Sequence, residues 1–386
     1  MEPPLTPAFM ELQSLDIGVR LSLDRRHIED EKFSMQRDIS VFFKGLLLRC
    51  APTLKSLALR SIAGDETISL GDARLSFPRL QHLNLSCLRI AAPSLLLFFS
   101  ASLRQLALPS FDNRGTIEKL LANCEPMRGL ETLVMPGLNN PKTANAIVSF
   151  LEKHAHLPKL CIEQSLPTVL DSHIIPLLSA GMFSNLLSLS LSWSGPGMEE
   201  DTEPHIATIA DESIAAIGTI TSLEQLCLTA GVEIGWRCQW LVDHEILREN
   251  LKGLTRLKKL AICRDTYRVL NTPDVEGYYS EGNLLDGPWY DDSQARPELD
   301  EVADDDDVDM SYNAIWERAH RNRMLRQAEK YAAAIPSLEW IYCGQWPMAI
   351  QERGNETSRA AVPLSKARDT CYTALSRMFA MGDGED

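Results

Sequence analysis

The side chains in this sequence that could do chemistry are few, and their spacing does not favour catalysis. His154 and His156 form an H-x-H pair of the kind that ligates a metal, yet no Cys or carboxylate stands at ligand spacing beside them. A helix end followed by a turn accounts for both. The acidic run Asp304-Asp-Asp-Asp-Val-Asp309 invites a calcium reading. Its best 12-residue frame starts at Asp305, where the sixth position is Met310 instead of Gly and the twelfth is Trp316 instead of Glu. A solvated loop fits it better, because such charge density cannot be buried. Nine cysteines at 50, 87, 124, 161, 227, 238, 263, 343 and 371 include no C-x-x-C pair, so they read as reduced, part-buried thiols. No G-x-S-x-G, H-E-x-x-H, Walker loop or G-x-G-x-x-G occurs. The expectation is a protein that is not an enzyme, without cofactor and without metal.

What remains is recognition chemistry. All seven tryptophans lie at or beyond Trp193. Trp193, Trp340, Tyr342 and Trp346, with Arg264 and Gln345 as polar neighbours, are the candidate protein-binding residues, since rigid aromatics and Arg carry most interface energy. Core filling under long loops competes as an account of most of these tryptophans.

The elements that must position these residues come from a repeat. Phe183 to Trp193 is its clearest copy: Leu186, Leu189 and Leu191 form L-x-x-L-x-L, and the last two alternate along a strand with Ser188, Ser190 and Ser192. Units of this kind start at Leu12, Leu54, Leu80, Leu103, Leu130, Leu157, Leu186, Leu223, Leu257 and Leu338. From Leu54 to Leu186 the spacings are 26, 23, 27, 27 and 29 residues, near those of leucine-rich repeats. Between the strands lie stretches with apolar residues three and four apart, such as Ser40 to Cys50, Thr116 to Cys124 and Thr143 to His154, and these predict helices. The expected fold is an α/β leucine-rich-repeat solenoid, curved, with a parallel sheet on the concave face and helices on the convex face. Positions 3, 5 and 7 of each unit should face the concave side. The ninth position, usually Asn or Cys in such repeats, holds Ile62, Leu88, Phe111 and Leu138, so apolar packing must hold those turns.

The expected organisation is repeats over 1–270, an acidic and disordered insert over 271–310, a helix and terminal repeat over 311–348, and a linker with a C-terminal capping helix over 349–386. No comparable cap precedes Leu12, so the expectation is that the first strand either tolerates an exposed edge or once continued upstream.

The terminal unit Leu338-Glu-Trp-Ile-Tyr-Cys-Gly-Gln-Trp-Pro-Met348, with the preceding Trp316-Glu-Arg-Ala-His-Arg-Asn-Arg-Met324 segment, resembles the C-terminal repeat region of fungal F-box/LRR proteins. The resemblance implies a substrate receptor of a cullin-RING ubiquitin ligase, with repeats holding the substrate. A compact F-box ahead of the repeats is not evident in this chain, so docking to the ligase adaptor would need one upstream.

Net charge sharpens the expected partner. At −15 overall, the chain lacks the basic face that nucleic acid or an anionic membrane requires. Asp291 to Asp309 carries ten acidic residues against Arg296, a net of −9 that leaves −6 for the rest. That insert favours a basic protein partner. The first residues lack a basic n-region and an apolar h-region, so the expected location is cytoplasmic or nuclear.

Overall fold

A computed structural model describes residues 11–19, 41–61, 67–70, 75–86, 88–111, 115–194, 208–231, 240–263, 265–266, 312–343, 346–352 and 359–364. The acidic insert and the capping helix, expected to run from Pro363 to Met381, lie outside these residues, apart from Pro363 and Leu364. The protein is mixed α/β, a large, mostly parallel sheet with helices and no closed barrel. The described residues fall into two compact units, one of residues 11–163 and 182–186, the other of residues 164–181 and 187–364.

In the first unit the strands are β1 (Ser14–Val19), β2 (Ser56–Ser61), β3 (Thr67–Ile68), β4 (His82–Asn84), β5 (Arg89–Ile90), β6 (Gln105–Ala107), β7 (Thr132–Met135) and β8 (Lys159–Ser165). β1, β2, β4, β6, β7 and β8 pair in that order, all parallel, and β3 pairs with β5 as a separate short ladder. The second unit has β9 (Ser188–Trp193), β10 (Gln225–Ala230), β11 (Trp240–Leu241), β12 (Lys259–Cys263), β13 (Asp265–Thr266), β14 (Trp340–Cys343), β15 (Trp346–Glu352) and β16 (Arg359–Pro363). Here β9, β10, β12 and β14 run parallel, and β15 and β16 follow antiparallel.

Each of the ten repeat strands begins two residues after the first leucine of its unit, from Leu12 and Ser14 to Leu338 and Trp340. Within each unit of the fold, third position pairs with third, as in Ser56↔His82, His82↔Gln105 and Gln225↔Lys259. Positions 1, 4 and 6 form the core side. Leu54, Leu57 and Leu59, Leu186, Leu189 and Leu191, and Leu338, Ile341 and Cys343 are all at most 1% exposed. Only the first strand is less covered, with Leu12, Leu15 and Ile17 half-buried.

Backbone bonds repeat with the same period. The carbonyl of position 2 accepts from the N–H groups of positions 2 and 3 of the next unit: Gln13 from Lys55 and Ser56 at 2.7 and 3.0 Å, Lys258 from Glu339 and Trp340 at 2.8 and 3.0 Å. The first leucine of most units donates to the carbonyl three residues back, at Phe77, Met127, His154, Phe183, Ile220, Leu254 and Ile335, all buried. The repeating pattern is therefore longer than L-x-x-L-x-L and includes an apolar position before it. Surface ion pairs such as Arg256 and Lys258 with Glu224 lie along the same line but are solvent-screened and contribute little. At the ninth position, Leu88 and Leu138 are buried as expected, Phe111 is half-buried, and Ile62 lies outside the described residues.

Helices cover the core side. Residues 41–50 bury Phe43, Leu47 and Cys50; Thr116–Asn123 buries Ile117 and Leu121; Ala144–Lys153 buries Ile147, Phe150 and Leu151. In the second unit, His244–Leu251 is capped by Asp243, whose Oδ1 accepts from the Glu245 and Ile246 N–H groups at 3.0 Å each. Gly218 ends the Asp211–Ile217 helix where a Cβ would overlap the Asn250 carbonyl oxygen, so only glycine lets the two helices approach. The long helix Tyr312–Ala334 buries Met324, Ala328 and Tyr331, spaced four and three residues apart, on one face.

Residues 349–386 differ from the expected linker. Their start is strand: β15 and β16 extend the sheet beyond β14, with Met348 and Ile350 inward and Gln351 exposed. The period of two in this stretch carries no leucine repeat, which is why it does not read as part of the sheet.

Two substitutions test this architecture by urea unfolding. Leu189→Ala should lose about 2–5 kcal/mol through the cavity left at a fully buried site, whereas Ser192→Ala on the opposite side of β9 should change stability by less than about 0.5 kcal/mol. Gly218→Ala should cost about 1–3 kcal/mol by overpacking. Parent-like melting of Leu189→Ala would show that the leucine side of the strand is not the core.

Candidate protein-binding face

The register of the second unit turns positions 3, 5 and 7 into rows that cross the strands. One row runs Ser188, Gln225, Lys259, Trp340, Ala349; the next runs Ser190, Cys227, Ala261, Tyr342, Pro347; a third joins Ser192, Thr229 and Cys263. Small and neutral side chains fill the β9 end. Ser188 Oγ donates to Gln225 Oε1 at 3.2 Å. Aromatics fill the β14 end, where Trp340 stacks on Tyr342 with centroids 6.3 Å apart and 19° between planes. Tyr342 is 4% exposed, so it serves as a support, and the half-buried Trp340 keeps a surface for contact. Lys259, beside Trp340 in the same row, is also half-buried.

The six predicted residues separate. Trp340 and Tyr342 are brought together on the outer face. Arg264 and Gln345 lie outside the described residues, and of Trp346 only the backbone in β15, paired with Cys343, is described. Trp193 is placed differently from the expectation: it is 1% exposed, and its Nε1–H donates to Asp171 Oδ1 at 2.9 Å. The reason is parity. Trp193 is position 8 of its unit, on the same side of the strand as Leu189 and Leu191, and therefore in the core. The same Asp171 oxygen accepts from Ser213 Oγ at 2.7 Å, so one carboxylate satisfies two buried donors.

Within the H-x-H pair, His154 is likewise structural, whereas His156 is half-buried with its Nε2 unpartnered. His154 is fully buried at the apolar position before Leu157, where its Nδ1–H donates to the Phe150 carbonyl at 2.8 Å and its Nε2 accepts from the Met127 N–H at 3.0 Å. That pairing requires the neutral ring. Burial is the main cause that lowers its pKa below the usual value, opposed by the bond to Phe150. Among the described residues no group of three or more His, Cys, Asp or Glu comes together. A feature missed by spacing is the thiol pair on this face: Cys227 and Cys263, on neighbouring strands, have Sγ atoms 3.6 Å apart. The Cys263 thiol, then the Ser190 and Thr229 hydroxyls, lower the Cys227 pKa against the opposing effect of burial.

Two measurements follow from these contacts. As pH falls below about 6.5, the unfolded chain protonates His154 while the folded chain, with its lowered pKa, does not, so stability should drop until the folded pKa is passed. His154→Gln should lack that part of the slope in unfolding experiments across this range; an unchanged slope would show that His154 is not the group responsible. Asp171→Ala should cost about 1–3 kcal/mol by leaving the Trp193 and Ser213 donors unpaired.

A scan against protein-family models gives no match to this sequence, and a search of curated proteins gives none.

Proposed function

We propose that this protein is a recognition module that binds another protein through the outward strand positions of its second unit, with Trp340 as anchor. The observation that supports the reading is the Trp340–Tyr342 stack, a rigid aromatic held on a buried support beside rows of small polar side chains. A half-exposed indole whose orientation is already fixed loses little freedom on binding, which is the usual character of a hot spot. The repeat units are proposed to stack as a curved leucine-rich-repeat solenoid with this face concave. A basic protein is the favoured partner, because the chain is acidic overall, at −15.

The resemblance of the terminal unit to fungal F-box/LRR proteins makes a substrate-receptor role in a ubiquitin ligase the specific form of this proposal, with a cytoplasmic or nuclear location. A scaffold that has no ligase docking shares the same face. Co-purification of the natural full-length protein with the cullin adaptor separates these two forms. No helix among the described residues is long and apolar enough to cross a membrane.

Quantitative pull-down with the intact chain tests the site. Trp340→Ala should weaken capture of the bound protein at least tenfold with little change in melting temperature, on the scale of about 2 kcal/mol for an aromatic hot spot. Ser56→Arg, in the first unit, should leave capture unchanged. Equal capture by the parent and Trp340→Ala, or loss of capture with Ser56→Arg alone, would move the site off this face.

A further inference from the structure

We propose that Cys227 and Cys263 form a two-thiolate site for one monovalent soft metal ion, Cu(I) by chemical class, on the outward face of β10 and β12. The site is independent of the partner-binding reading. The two Sγ atoms stand 3.6 Å apart, with Cys227 7% exposed and Cys263 half-buried. Ser190 lies directly across from Cys227 in β9, and Thr229 is two residues farther along β10.

Distance decides between a disulfide and a metal bridge. Cys227 pairs with Ala261 and Cys263 with Thr229, so the two cysteines are diagonal neighbours. Strands about 4.8 Å apart and a two-residue rise of about 6.6 Å place their Cα atoms about 8 Å apart. A disulfide needs a Cα separation below about 7 Å, so direct S–S bonding would require one strand to slide along the other. Inserting one atom removes that conflict. Two metal–sulfur bonds of about 2.3 Å span up to about 4.6 Å between sulfurs, which side-chain rotation can supply from the present 3.6 Å.

The donor set selects the ion. Zinc takes four ligands, and among the described residues no third His, Cys, Asp or Glu joins this pair. Two soft thiolates with no further ligand suit Cu(I). Binding releases the thiol protons, two RSH and Cu⁺ giving a bis-thiolate of charge −1 and two H⁺ with no change of oxidation state. Ser190, across from Cys227 in β9, and Thr229, paired with Cys263, share this outward face and offer hydroxyl donors to that charge.

The test is an anaerobic titration of the reduced full chain with Cu(I) held by the chromogenic chelator bicinchoninate. The parent should withdraw one equivalent more than Cys227→Ser or Cys263→Ser, with the affinity of that equivalent reduced at least 100-fold in each variant. Cys161→Ser, in the first unit, should retain it. X-ray absorption should report a two-coordinate, sulfur-only site. If Cys227→Ser does not fold, the comparison rests on Cys263→Ala, at the less buried position. Equal withdrawal by the parent and a folded variant would overturn the proposal. A Cys227–Cys263 disulfide formed under dilute hydrogen peroxide would also overturn it, because the strand spacing would then not exclude the direct bond.

Discussion

Register is the constraint on which the described strands depend. Every leucine unit places positions 1, 4 and 6 on the buried side, and a slip of one residue would send that whole set to solvent and the polar set inward. The burial of Leu57 and Leu59 or of Leu226 and Leu228 thus fixes the pairing far more strongly than any single hydrogen bond. Backbone geometry then works with the leucines. A carbonyl at position 2 that accepts two N–H groups from the next unit holds each strand entry at the same height as its neighbour. The side-chain ladder usual at the ninth position is not needed, because buried Leu88 and Leu138 occupy that turn.

The same register creates the outward face. Parallel pairing without offset aligns third, fifth and seventh positions across neighbouring strands, so residues more than thirty positions apart in sequence become neighbours in a row. Trp340 acquires Lys259, Tyr342 acquires Ala261, and the two thiols of Cys227 and Cys263 come into contact. The Trp340–Tyr342 stack and the Cys227–Cys263 thiol pair therefore lie in rows of one face with no motif of their own. The polar groups on the inner side are treated differently. Asp171, itself half-buried, accepts from the buried Trp193 and Ser213 side chains through one oxygen, and the buried His154 joins two backbone groups, so both ring nitrogens of His154 are engaged.

Where the repeat pattern stops, the topology changes. β15 and β16 run antiparallel beyond β14, and Met348 and Ile350 bury their side chains without any L-x-x-L-x-L unit. Antiparallel strands need only short connections, whereas each parallel strand needs a crossover, and this allows the sheet to continue within a few residues. The long helix Tyr312–Ala334 precedes β14 and packs Tyr331 against the His244–Leu251 helix, with the Tyr331 hydroxyl 3.1 Å from His244 Nδ1.

By itself the sequence determined where the ten repeat strands begin and which of their residues are buried, because those depend on local periodicity. Strand parity was also legible, and applying it to Trp193 at position 8 would have put that ring in the core. The tertiary structure decided what periodicity does not contain. It brought Cys227 and Cys263 together across 36 residues, added the antiparallel end, and supplied the second bond that each of Asp171 and His154 makes with a distant element. Those outcomes depend on which strands and helices become neighbours, and loops between the repeat units are of unequal length, so local spacing carries no information about them.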